Sequence, residues 1–116
     1  KRKGKQMSSS DLLFEVVDPR GILIVCLKKT WNQHIVPGHN MKEENVKNAI
    51  CDPDIIYKSD THHNRDVYFK STSQPDIYDK VVVEVSQNYG EVATAFTRRG
   101  IRGGIDESQV LYSNLK

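Results

Sequence analysis

Apolar residues along the chain fall into short clusters of two periods. Leu12 to Val17 and Ile22 to Leu27, the latter six apolar residues in succession, are rich in β-favouring side chains. Asp18-Pro19-Arg20-Gly21 separates them, with proline second and glycine fourth in a tight turn, so the pair predicts a β-hairpin. The second run has no polar face, which predicts a strand that is central or covered on both sides. After Lys28, Lys29 and Thr30 the pattern breaks at Trp31 to His39. Pro37-Gly38 argues against a regular element there, and a short helical turn followed by a loop is expected. Asn40 then reads as a helix N-cap with Glu43 three positions on. Val46, Ala49 and Ile50 recur at helical spacing, and Pro53 stops the helix after Asp52.

Downstream the period changes to two. Asp54 to Lys58 reads as a strand, and Ser59 to Asp66, with two histidines and no large apolar group, as an exposed loop. Val67 to Ser71 alternates, with Val67, Phe69 and Ser71 on one face and Tyr68 and Lys70 on the other. A turn over Ser73 to Asp76 leads to Lys80 to Val85, the strongest strand pattern in the chain. Asn88-Tyr89-Gly90 then returns the chain into Val92 to Arg98, whose Val92, Thr94, Phe96 and Arg98 are expected to share a face. Arg99 to Gly104 reads as a flexible basic segment, and Val110 to Tyr112 as a last edge strand. The expectation is an α+β fold: one main helix packed on a twisted antiparallel sheet of four to five strands, preceded by a β-hairpin.

The 116 residues fit one core, so residues 11–116 are expected to form a single domain after a flexible basic leader, residues 1–10. Lys1 in place of an initiator Met suggests a piece of a longer chain. Lys1, Arg2, Lys3 and Lys5 carry +4 of a net +2, which leaves −2 on the rest. Any nucleic-acid surface must therefore come from local clustering, as at Arg98, Arg99 and Arg102, and not from overall charge. No apolar run approaches the ~20 residues that span a bilayer, and nothing at the start resembles a signal peptide. Cys26 and Cys51 lack zinc-ligand spacing; Cys26 reads as a buried thiol, and a bridge between the two stays open.

Trp31-Asn32-Gln33-His34-Ile35-Val36-Pro37-Gly38-His39 places two imidazoles five residues apart behind an aromatic anchor. Two histidines held close can take opposite protonation states and divide acid and base work, which is the chemistry RNA cleavage needs. The plainer alternative has His34 half-buried beside Trp31 and His39 in a loop leading to the helix. His62 and His63 are adjacent on an exposed loop and have no carboxylate at useful spacing, so no metal site is expected.

Trp31-x-x-His34-Ile35, then His39, a short helix, Asp52-Pro53-Asp54-x-Ile56, Tyr68-x-Lys70, Val81-Val82-Val83 and Thr94-Ala95-Phe96 resemble, in that order, the phage-associated branch of the Barnase-EndoU-colicin-RelE-like nucleases. The match runs from about Thr30 to about Gly104. The resemblance implies a ribonuclease that needs neither metal nor other cofactor, with tRNA the substrate class. It implies a toxin domain, antibacterial in action, at the C-terminal end of a larger delivered or phage-encoded protein. Such a domain acts in the cytoplasm of a target bacterial cell and is held silent by an acidic immunity protein, with no membrane partner. Carried over by position, the catalytic candidates are His34, His39, Lys70 and Thr94. Asn40 and Phe96 depart from the pattern, where proline and tyrosine would stand.

His34 would take the proton from the 2′-hydroxyl, and His39 and Lys70 would serve the leaving oxygen and the phosphorane. Trp31, Arg65, Tyr68, Arg98 and Arg99 are the candidate substrate contacts, Arg65 as a guanidinium clamp on phosphate. The competing expectation is a non-catalytic nucleic-acid-binding module using the arginines and aromatics such as Tyr89. A third is a protein-interaction domain with no nucleic-acid contact.

Overall fold

A computed structural model of the chain describes residues 11–36, 41–101 and 107–114. The chain forms strands β1 (Leu12–Val17) and β2 (Leu23–Leu27), then a one-turn helix α1 (Lys28–Thr30) running into a π-helical stretch, Trp31–Ile35. Helix α2 (Glu43–Cys51) follows, then β3 (Ile55–Lys58), β4 (Arg65–Ser71), β5 (Ile77–Val85), β6 (Tyr89–Arg99), a 3-10 turn at Glu107–Gln109 and β7 (Val110–Ser113). The fold is α+β, but the sheet differs from expectation. It has seven strands in the order β1-β2-β6-β5-β4-β3-β7, and it is mixed, because β2 pairs with β6 in parallel.

The first hairpin forms as its turn chemistry predicts. The Asp18 carboxylate accepts the backbone N–H groups of Arg20 and Ile22 at 2.9 and 3.0 Å, and Gly21 takes a φ of 89°. β2 lies between β1 and β6 with Ile24, Val25 and Cys26 buried. α2 begins later than expected, after Lys42, whose backbone N–H donates to the Asn45 side chain; the proposed cap Asn40 lies outside the described residues. The helix stops at Cys51 ahead of Asp52 and Pro53, as the proline requires.

Apolar clusters form on both faces of the sheet. Val46, Ala49 and Ile50 of α2 and Ile35 of the π-helical stretch bury one face over Ile56, Tyr68, Val81, Val83, Val92 and Ala95. On the other face Phe69 is enclosed by Tyr57, stacked at 5.8 Å, and Tyr78, edge-on at 6.0 Å. Ile101 and Val110 join this second cluster. They flank the crossing from β6 to β7, which run in the same direction with three strands between them.

Of three register shifts in the described sheet, the one in β6 changes the facing of side chains near the core. In the β5–β6 pair Val82 opposes Thr94 while Val83 opposes Val92, so Ala93 is an extra, bulged residue. Val92 therefore lies on the α2 face and Thr94 on the other, although a simple alternation puts them together. The loop before β4 is also shorter than expected, because the strand begins at Arg65 and Asp66 is buried within it.

The sheet curls strongly enough for the tip of the first hairpin to reach β4. Tyr68 donates its hydroxyl to Asp18 at 2.7 Å, and the Arg20 guanidinium lies against Asp18 (2.8 Å), Asp66 (3.0 Å) and the Tyr68 oxygen (3.1 Å). Burial alone would raise the Asp18 carboxyl, but bonds from Tyr68, the Ile22 backbone and Arg20 bring it below its ordinary value. Tyr68 is pushed well above the usual phenol range by burial and by the carboxylate it faces.

Candidate functional site

On the α2 face, Asp66, Tyr68 and Lys70 alternate along β4. The first two belong to the Arg20 network. Lys70 lies two residues further on, beside the C-terminal end of α2, where its ammonium meets the Asp52 carboxylate at 3.0 Å. Strand register sets Lys70 opposite Asp79 on β5, and Asp79 opposite Thr97 on β6. Residues directly opposite on neighbouring strands point to the same side. A cation, a carboxyl and a hydroxyl thus form one row across three strands.

The row opens into a cleft of about 440 Å³, whose other walls include Asn45 and Asn48 of α2 and the Ser71–Gln74 turn. Asp79 is 7% exposed, and among the described residues it makes no hydrogen bond or ion pair. Burial raises its carboxyl above the ordinary aspartate value. A carboxyl in that condition can hold and deliver a proton at a higher pH than a solvated one. Lys70 is half-buried and supplies charge, Thr97 an exposed hydroxyl, and the two asparagines supply amide donors and acceptors.

The residues singled out from sequence are not gathered in one place. Lys70 borders this cleft, whereas Thr94, opposite Val82, belongs to the far face of the sheet, so these two do not meet across one phosphate. The hydroxyl that shares the Lys70 row is Thr97. His34 is exposed on the π-helical stretch, which packs on β6 on the same side as α2, but His34 does not line the cleft. Its partner His39 lies outside the described residues. Trp31 packs half-buried against the core. Tyr68 is fully buried with its hydroxyl committed to Asp18, so it has no access to a ligand in this structure.

Arg65 is a strand residue and not a loop one. Its guanidinium is 3.6 Å from Glu84 and its Nε is buried without a partner among the described residues. Arg98 and Arg99 point to opposite faces, Arg98 opposite Tyr78 and Arg99 opposite Ile77. Arg102 lies outside the described residues. His63 borders a separate cleft of about 400 Å³ beside Arg20, Lys58 and Asp66. Among the described residues no three His, Cys, Asp or Glu side chains converge as a metal site would need. Both thiols are free; Cys26 is buried, which pushes it up to about 12, and Cys51 is exposed. Among the described residues no helix is long and apolar enough to cross a membrane.

Asp79 and Thr97 escaped the sequence reading, though a signal for them exists. The turn expected at Ser73 to Asp76 joins two strands whose hairpin pairing sets Lys70 against Asp79. Comparison with family models, curated proteins and solved structures finds no match for this chain.

Proposed function

We propose that this chain is a ribonuclease domain and that the cleft at Lys70, Asp79 and Thr97 receives the scissile phosphate. The observation that carries the reading is the cross-strand row, which places a nearly buried carboxyl, without a partner among the described residues, beside a cation and a hydroxyl in an open cleft. In this scheme a base removes the proton of the ribose 2′-hydroxyl, and O2′ bonds to phosphorus as the bond to O5′ breaks. Asp79, protonated, delivers its proton to O5′, leaving a 2′,3′-cyclic phosphate and a free 5′-hydroxyl. Lys70 and Thr97 bind the non-bridging oxygens, where negative charge accumulates. The nuclease resemblance gives the role of base to His34, which stands on the same side of the sheet but outside the cleft lining and would have to reach the ribose from beyond its edge; the restriction to RNA rests on the same likeness. Its toxin setting, tRNA substrate and acidic immunity partner are extensions of it.

Purified protein incubated with total RNA in chelator tests this. We expect cleavage with cyclic-phosphate ends, and a loss of roughly 10² or more in rate for Asp79→Asn and for His34→Ala. Undiminished cleavage by folded Asp79→Asn, or no cleavage by the unmodified protein, overturns the reading.

One observation favours a non-catalytic RNA-binding reading: on the far face the Lys80 ammonium lies 5.3 Å from the Phe96 ring, with Arg98 opposite Tyr78 nearby. Cations and aromatic rings on one sheet face suit single-stranded bases and backbone. RNA retention without scission, weakened by Arg98→Glu and unaffected by Asp79→Asn, would select it.

A further inference from the structure

Lys70 stands directly opposite Asp79, one strand spacing away and on the same face of the sheet, yet its ammonium is turned to Asp52 at 3.0 Å. Asp52 follows the last turn of α2 and its side chain is 68% exposed, so no packing requirement places a carboxylate there. Asp79, by contrast, is nearly buried, borders the cleft and has no partner among the described residues. The ammonium is therefore held by a solvated carboxylate and not by the nearly buried one that faces it on the next strand.

We propose that Asp52 is a positioning residue: by holding the Lys70 ammonium it keeps that cation off the Asp79 carboxyl, so that the cleft contains an acid and a separate cation in place of an ion pair. Its meaning for catalysis rests on the reading of Asp79 as the acid of the cleft, but its test uses no RNA. An ion pair between Lys70 and Asp79 would defeat both groups at once. The lysine would be occupied when phosphate arrived, and the carboxyl beside a cation would hold a proton less readily. Asp52 resolves this with a carboxylate that an incoming phosphate can displace, since it is largely in water, where such a pair is weak.

The other groups facing Asp79 do not perform this task. Thr97 on β6 and Asn45 and Asn48 on α2 are neutral, and Ile77 and Val81 flank it along β5. Arg99, two residues beyond Thr97 on the same face of β6, is the other described cation there, and it is exposed. Consistent with the geometry, burial is the cause that raises Asp79, and among the described residues no cation draws it down.

Carboxyl-detected NMR titration of the whole chain tests the idea, with the Asp79 signal identified by its loss in Asp79→Asn. Asp52→Asn should free Lys70 to turn to Asp79 and lower the Asp79 midpoint by about one pH unit. Lys70→Met alone should leave the midpoint near that of the unmodified protein, because the cation is already elsewhere. The Asp52→Asn/Lys70→Met pair should return it there, and the cycle isolates the coupling. An Asp79 midpoint that does not move in Asp52→Asn overturns the proposal. So does a midpoint that rises by a unit in Lys70→Met, the variant that decides the question even if Asp52→Asn fails to fold.

Discussion

Replacing Arg20 with methionine keeps most of the side chain's length and removes the cation that bridges two buried carboxylates. Asp18 is 3% and Asp66 6% exposed, and Arg20 donates to both, as well as to the Tyr68 oxygen. Removing one partner of a buried ion pair typically costs 3–5 kcal/mol, because the remaining charge stays desolvated. The Arg20 side chain is 21% exposed, so water can reach the vacated site and the lower end applies, about 3 kcal/mol. With an unfolding entropy of ~2.1 cal/mol/K per residue, that loss lowers the melting temperature by roughly 12 °C.

The pH dependence tests the cause. In the unmodified protein Asp18 is held below its ordinary value, so its contribution is present above about pH 4 and is lost as pH falls through the lower, folded value. In Arg20→Met the two carboxylates face each other without a cation, and protonating one relieves them. The deficit against the unmodified protein should then shrink as pH falls from 7 to 4. Urea unfolding at both values, followed by circular dichroism, measures it. A deficit below ~1 kcal/mol at pH 7 would refute the argument that this network closes the sheet. So would a deficit unchanged by acid.

Further tests probe packing and thiol access. Gly90 lies where β6 meets β2, and a Cβ there would stand 2.5 Å from Val83 Cγ1 and 2.9 Å from Ile24 Cδ1. Gly90→Ala should cost about 1–3 kcal/mol of stability by overpacking, measured by denaturant unfolding, and a neutral result would contradict the close approach. Cys51 should react with a thiol reagent in the folded state, whereas Cys26, buried and raised to about 12, should react only on unfolding. Two thiols labelled at one rate under native conditions would contradict the placement of β2 in the sheet interior.

Local order was written plainly in the residues. The Asp18 to Gly21 turn, the proline after Asp52, and the alternation through Val67 to Ser71 each act within a few positions, so periodicity and turn chemistry specify them. Which strands become neighbours is a different matter. Placing β2 beside β6, or β7 beside β3, depends on the total apolar surface buried, and no short window carries that sum. The same limit governed the candidate site. Lys70 was recognisable as a cation on a strand, but Asp79 and Thr97 became its companions only through pairing register, and the alternation back from Thr97 leaves Thr94 on the other face of the sheet. Sliding one strand by a single residue would set other side chains beside Lys70, which is why tertiary structure, and not composition or spacing, decided what shares the cleft.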